Sequence, residues 1–398
     1  MVVIQVKKLL ASFLLLFFTI SLIGCQGIVP TDNFDSISQI KTDSNKSSSN
    51  DEGNTDSKEK DTNNGDANKK NTEDTISNNY NGNNSLTSPY SIKDYYPIKA
   101  NTHYIYEGSG NELSSYSLWT DYIKDNKVQL RIESSGTITS KIIESNNNEL
   151  KLIYEKEDTL YREDLTSKKA NKEEILLKEP LVKGNQWTLP DKDVRTITNV
   201  NIEVTTPSGS YKALEVTTKG KDSERIDYYV LNIGLVKTIL KTNGTEVVSS
   251  LKEIRNNETL KTEIIFYYPD TQSDKLIPIK KKLSFRTNDI TKLAIEKEFR
   301  TVPKDNLNKL LGPNVKINSL YLNNDGMVYV DFTKNFVSDL NVGASFELKI
   351  LQSITNTLGE YYGVEKVYIT LDGNPYSSGH ISMKKGEAFT VDRTQVTE

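Results

Sequence analysis

The sequence predicts an α+β protein. An N-terminal all-β domain, built as a meander, half-barrel or sandwich, precedes a small α+β domain with helices on one face of a sheet, and a disordered tether precedes both. Three observations predict this. Strand-like runs recur at short intervals from Asp94 to about Arg255, with turn residues between them. From about Thr262 the order becomes strand, helix, hairpin, helix, strand. Ahead of Asp94 the chain lacks the apolar residues that a core requires. A length of 398 residues fits two such domains plus extra segments.

The first segment reads as an address. Lys7 and Lys8 form a short basic region, and Leu9 to Ile23 is an uncharged run of 15 residues rich in Leu and Phe. That run is short of the ~20 apolar residues of a spanning helix and suits the apolar region of a signal peptide. It ends in Leu22, Ile23, Gly24 and Cys25, which resembles a bacterial lipobox. The resemblance implies cleavage after Gly24, diacylglycerol on the Cys25 sulfur, and acyl chains of the palmitate class in the membrane. Residues 1–24 are then the signal peptide. The protein would sit on the outer face of the cytoplasmic membrane, held by lipid on Cys25. At ~0.8 kcal/mol per buried methylene, two or three chains anchor durably.

Residues 25–93 are expected to carry the lipid and act as a linker. Between Lys41 and Tyr80, 37 of 40 residues are Asn, Ser, Asp, Thr, Lys, Glu or Gly, the exceptions being Ala67, Ile76 and Tyr80. Nothing there offsets the entropy of ordering the backbone, so disorder is predicted. The 68 residues from 26 to 93 would span roughly 45 Å as a coil and about 220 Å fully extended.

The all-β domain is placed at 94–258. Its strands are expected at Thr102–Tyr106, Tyr116–Ile123, Val128–Glu133, Thr137–Ile143, Leu150–Tyr154, Ile197–Thr205, Tyr211–Thr217, Ile226–Leu231 and Leu235–Leu240. Asp125-Asn126, Ser145–Asn148 and Pro207-Ser208-Gly209 serve as turns. Gly184-Asn185-Gln186-Trp187, and Tyr228-Tyr229 followed by Gly234-Leu235-Val236-Lys237, resemble patterns in other extracytoplasmic lipoprotein β-domains. Trp187 is expected in the core.

The second domain is placed at 262–391. Glu263–Tyr268 is a strand stopped by Pro269-Asp270, and Leu276–Ile279 and Lys282–Arg286 follow as extended segments. Ile290 to Arg300 reads as a helix with Ile290, Leu293, Ala294 and Phe299 inward. Leu307, Leu310 and Leu311 read as a helical turn ended by Gly312-Pro313. Val315–Leu322 and Met327–Phe332 are strands joined by Asn323-Asn324-Asp325-Gly326, a hairpin signal. Phe346, Ile350, Leu351, Ile354 and Leu358 then repeat at helical spacing, with Gly359 and Gly363 as candidate caps. Val364–Leu371 is the last strand, turned by Asp372-Gly373.

In that order, Phe266-Tyr267-Tyr268-Pro269, Leu276–Ile279, Val328–Phe332, Ile354–Leu358, Gly363–Val367 and Asp372-Gly373 resemble the GerMN domain family of sporulation and spore germination. The chain departs from the family in a short segment between Phe299 and Asn314 and in carrying one copy where some members carry two. The resemblance implies an assembly or localisation module of the cell envelope and no catalytic residues.

The residues agree that chemistry is not expected. One cysteine excludes an internal disulfide and a multi-cysteine zinc site, and the formal charge of −4 argues against nucleic acid. His103 and His380 lie 277 positions apart, in different predicted domains, and read as satisfied surface histidines. Glu157-Asp158, Glu163-Asp164 and Glu173-Glu174 read as solvated faces, and Asp331 and Asp372 as structural residues beside turns. The tyrosine pairs Tyr95-Tyr96, Tyr228-Tyr229, Tyr267-Tyr268 and Tyr361-Tyr362 read as strand or core residues more than as platforms for a glycan. No cofactor, metal or catalytic residue is expected. The expected function is non-enzymatic assembly or localisation in sporulation or germination, with an envelope protein partner docking on 262–391. The alternative is an envelope lipoprotein whose β-domain binds a lipid, glycan or wall polymer.

Overall fold

The computed structural model describes residues 88–397. The signal peptide, the lipobox and the tether up to residue 87 lie outside the described residues. Both predicted domains fall within one compact unit, Leu86–Glu398.

The first region opens with a single helical turn, α1 (Ile92–Tyr95). Twelve strands follow: β1 (Thr102–Ser109), β2 (Tyr116–Lys124), β3 (Lys127–Ser134), β4 (Thr137–Ser145), β5 (Glu149–Lys156), β6 (Glu174–Lys178), β7 (Gln186–Thr188), β8 (Val194–Thr206), β9 (Gly209–Lys219), β10 (Ser223–Val230), β11 (Gly234–Thr242) and β12 (Thr245–Asn256). They form one sheet of two six-stranded meanders, joined where β1 pairs antiparallel with β12. The edge strands of this sheet are β6 and β7, and side chains tie them together. Trp187 Nε1 and Arg195 Nη1 both donate to Ile175 O, at 3.0 and 2.7 Å, and Arg195 pairs with Glu174 at 2.8 Å. Closing the curl this way protects edges that would otherwise template aggregation. The interior is filled by Leu150, Leu177, Ile197, Leu214 and Val216, with Trp187 among them and Ile92 and Tyr95 of α1 packed in.

Nine of these strands coincide with the predicted runs, and β6, β7 and β12 were not foreseen. β6 and β7 are short, at 5 and 3 residues, and β12 is too polar for its alternation to register.

The second region begins with the hairpin β13 (Leu260–Pro269) and β14 (Leu276–Phe285). The two predicted extended segments are therefore one strand. Helix α2 (Thr291–Phe299), the hairpin β15 (Ile317–Leu322) and β16 (Val328–Phe332), helices α3 (Asn335–Leu340) and α4 (Ala344–Tyr362), and β17 (Lys366–Leu371) follow. β16 and β17 run parallel, and the short pieces β18 (Asn374–Pro375) and β19 (Phe389–Thr390) pair with β17. Val328, Val330 and Phe332 share a core with Val367, Ile369 and Leu371 and with Ile350, Ile354 and Leu358 of α4. The alternation places Tyr329, Asp331, Tyr368 and Thr370 on the opposite face.

Three details differ from expectation. Ile290 and Leu293 are exposed, and α2 instead buries Thr291, Ile295, Glu296 and Phe299. The rotation follows from polar bonds: Thr291 Oγ1 donates to Arg162 O at 2.9 Å, and Glu296 accepts from Ile317 N. Leu307, Leu310 and Leu311 are buried but not helical. Gly363, at φ 68°, caps α4, whereas Gly359 lies inside the helix, where an added Cβ would stand 2.2 Å from Val391 Cγ2.

Ile354 is fully buried between the sheet and α4's neighbours, while Leu348 on the same helix is 51% exposed. Ile354→Ala should lower the urea unfolding free energy by about 2–5 kcal/mol, and Leu348→Ala should change it by less than about 0.5 kcal/mol.

Candidate functional site

The two regions meet at a polar seam made by a β-bulge and a loop. In β2, Thr120 pairs with Leu130 and Tyr122 with Gln129, so Asp121 is an extra, unpaired residue. A bulge re-aims such a residue. Here it sends the Asp121 carboxylate between two buried guanidinium groups. Oδ2 accepts from Arg131 Nε and Oδ1 from Arg162 Nε, each at 3.2 Å.

Arg162 lies on the segment between β5 and β6 and is 2% exposed. All five of its N–H donors have acceptors. Beyond Asp121 Oδ1, these are Tyr122 Oη at 2.7 Å, Asp121 O at 2.8 Å, Arg286 O at 3.1 Å and Asp289 O. The guanidinium also stacks over Tyr122 at 4.2 Å and near Phe285 at 5.1 Å. Arg162 N donates to Tyr361 Oη at 2.8 Å, and burial pushes the Tyr361 hydroxyl up to about 12. One residue thus joins β2, the 286–291 segment and the C-terminal end of α4. Stitches flank it: Asn288 N donates to Asp121 O, Ile123 N to Asn288 Oδ1, and Asn101 and Thr287 exchange two bonds.

The segment around Glu157-Asp158 and Glu163-Asp164 is therefore only partly a solvated face. Glu157, Asp158 and Asp164 are exposed, but Tyr161, Arg162, Leu165 and Thr166 between and beside them are buried. Sequence reasoning missed Asp121, Arg131 and Arg162. The available signal was the pair Tyr161 and Leu165 within a charged loop, both of which are buried.

Of the two histidines expected at the surface, His380 is exposed and satisfied, whereas His103 is buried. His103 is buried, stacks on Trp119 at 3.6 Å and bonds Glu258 at 2.9 Å through Nδ1. His380 bonds Glu347 Oε2 at 2.8 Å, and Tyr376 donates to Glu347 Oε1 at 2.7 Å. Burial raises the Glu347 pKa, but the hydrogen bonds from Ser378, His380 and Tyr376 outweigh it and hold the carboxyl below the ordinary glutamate range. The two histidines stand in separate clusters, and nothing brings them together.

Asp331 and Asp372 do meet, at one end of the small sheet. Asn318 Nδ2 donates to both, at 2.8 and 3.2 Å, and Asp331 also accepts from Thr370 and Gly373 N. These contacts come from strand residues Asn318 and Thr370 and from the turn at Gly373. The tyrosine pairs are mostly interior: Tyr95, Tyr229, Tyr267, Tyr268, Tyr361 and Tyr362 are buried. Tyrosines do face outward elsewhere, on the open face of the small sheet, where Tyr321 is 38% exposed.

Among the described residues, no group of three or more His, Cys, Asp or Glu is placed to hold a metal, and no helix is long and apolar enough to cross a membrane. Cys25, with Leu22, Ile23 and Gly24, lies outside the described residues.

Residues 265–377 match the Germane family, described as sporulation and spore germination. No curated protein matches the chain. Among solved structures, the tandem GerMN domains of the sporulation protein GerM from Bacillus subtilis are 19% identical, with 32% of this chain and 46% of that chain covered and a TM-score of 0.27. The chain thus spans about half the length of that protein structure. The first GerMN domain of the same protein is 22% identical over 29% of this chain and 86% of that one, with a TM-score of 0.23. A candidate lipoprotein from Parabacteroides distasonis is 16% identical over 40% of this chain and 98% of that one, with a TM-score of 0.28.

Two outcomes follow from the seam and the Glu347 cluster. Asp121→Asn strips two buried guanidinium groups of their counter-charge and should cost about 3–5 kcal/mol in urea unfolding, because an uncompensated buried charge is the expensive species. The Glu347 contribution to stability is complete above about pH 5 and fades as the pH falls below the ordinary value of about 4.3, since the depressed pKa means the unfolded chain binds protons first. Glu347→Gln should flatten the acid limb of the unfolding midpoint between pH 6 and 3; an unchanged limb would show that the cluster carries no linkage.

Proposed function

We propose that the protein is a lipid-anchored, extracytoplasmic assembly or localisation factor of sporulation or germination. The observation that carries this reading is the Germane match at 265–377, on a domain whose Asp331–Asp372 and Glu347 clusters bond the chain's own residues. The lipobox Leu22–Cys25 supports the anchor, as does the order of basic, apolar and small residues before it. Anchoring confines the domain to the membrane plane and raises its effective concentration for a neighbour. The partner is an envelope protein that docks on 262–391. The rival reading is an envelope lipoprotein whose β-domain binds a lipid, glycan or wall polymer; the interior of that domain is filled by apolar side chains such as Leu150, Leu177 and Ile197.

The test is cross-linked capture of the lipidated chain from vegetative and sporulating cells. Envelope proteins should be recovered, and their recovery should be lost when 262–391 is deleted from a chain whose β-domain retains its circular dichroism. Failure to recover any protein in either growth state would overturn the reading. Cys25→Ala should abolish palmitate labelling and move the protein from the membrane pellet to the soluble fraction. Retention in the pellet would remove the anchor from the account.

A further inference from the structure

The outer face of the small sheet carries a ladder of three tyrosines that opens to solvent toward the edge: Tyr368 is buried, Tyr329 half-buried and Tyr321 exposed. Tyr321 in β15, Tyr329 in β16 and Tyr368 in β17 are cross-strand partners in successive strands. Their ring centroids are 5.6 Å and 5.0 Å apart, the first pair nearly parallel at 24° and the second at 64°. The two ends of the ladder differ. On the far side of β17, β18 and β19 are already paired. On the near side, β15 is the edge of the sheet. One flank of the Tyr321 ring lies against Tyr329 and the other has no further rung.

The β15 edge is only half covered. Ile317 N donates to Glu296 Oε2 and Lys292 Nζ to Asn318 O, so α2 shields the first two residues. Among the described residues, no helix residue bonds the edge from Ser319 to Leu322. Alternate residues of an edge strand leave N–H and C=O groups pointing outward. Carboxylates outnumber the cations placed around this face. Asp325 accepts from Tyr329 Oη at 2.8 Å beside the ladder, and Asp331 and Asp372 stand at the far end. Lys366, two residues before Tyr368, shares the face, and Lys292 lies beyond the edge.

Resting on the docking role above, we propose that the envelope partner supplies the fourth rung: an extended segment that pairs with β15 at Ser319–Leu322 and lays an arginine on the free flank of Tyr321. Strand addition supplies main-chain bonds, and the side chain opposite Tyr321 supplies selectivity. Arginine fits better than a fourth aromatic residue because it answers the carboxylates as well as the ring. It fits better than lysine because its planar guanidinium stacks.

The test uses the purified full chain in detergent and fluorescent ten-residue probe peptides of alternating Val and Thr, with Arg, Glu or Thr at one central position. The Arg probe should bind at least about tenfold more tightly than the Glu probe and lose affinity as salt is raised. Tyr321→Phe should retain the binding within about twofold. Tyr321→Lys, which places a repelling charge on an exposed edge position, should weaken it about tenfold or more. Equal binding of the Arg and Glu probes, no binding of either, or insensitivity to Tyr321→Lys would overturn the proposal. The cellular capture separates this site from the role it rests on. Recovery that needs 262–391 but is unchanged by Tyr321→Lys sinks the fourth rung and leaves docking intact. Recovery that does not need 262–391 sinks docking itself.

Discussion

The contact on which the rest of the structure depends is the pair of arginines that share Asp121. Two guanidinium groups and one carboxylate are buried together, with side-chain exposures of 1–4%. Taken alone, that is an excess positive charge in a region where each desolvated ion costs several kcal/mol. It persists because Glu133 stands 4.0 Å from Arg131 Nη1, every Arg162 donor finds an acceptor, and backbone carbonyls answer both guanidinium groups. Arg131 reaches Thr159 O and Tyr161 O, and Arg162 reaches carbonyls at Asp121, Arg286 and Asp289. Those carbonyls belong to three separate stretches of chain. The charge is tolerable only where they converge, so the seam specifies how the β-sheet, the loop after β5 and the Germane domain sit together.

The same economy governs the C-terminal end. Residues past the Germane match are not an appendage. Asn356 exchanges two bonds with the backbone of Asp392, at 2.6 and 3.0 Å, and Val391 packs into the space left by Gly359. Leu276 then bonds Gln395 and Thr397. The tail thus covers the β17 edge and the start of β14 in one pass. Pro278 and the lysines at 280–282 occupy β14, and both are devices that discourage strand addition. Against edges protected this way, the uncovered half of β15 stands out.

Much of this was legible from residue pattern. Runs of apolar and β-branched residues between turn residues gave strands at β2 to β5 and β8 to β11, even where, as in β3, both faces are buried. The hairpin at Asn323–Gly326 and the helix at 346–358 followed from turn chemistry and a clear 3.6-residue period. What stayed hidden was set by polar contacts between distant segments. The phase of α2 turned on Thr291 and Glu296, which no apolar count would place inward. Asp121 owes its role to a one-residue bulge, and Arg162 to five acceptors spread over about 170 positions of sequence. His103 was misjudged for the same reason, its partner Glu258 lying 155 residues away, whereas His380 is the exposed, satisfied histidine that was expected. Local sequence carries hydrophobic period well and long-range hydrogen bonding not at all.

A line of contacts fixes the small sheet relative to the start of the described residues. Where the described residues begin, Ile92 N donates to Glu179 Oε1, Asn232 N donates to Asp94 O and Lys99 reaches Asn232 O. The incoming chain is thereby fixed to the turns after β6 and β10. From there the ladder of β1 and β2 leads to Asp121, and Asp121 to Arg162 and α4. Each step is a hydrogen-bonded contact. A loose hinge would leave the sheet free to take any orientation. These contacts tie the small sheet to residue 92, so whatever holds residue 92 also sets the direction in which Tyr321 points.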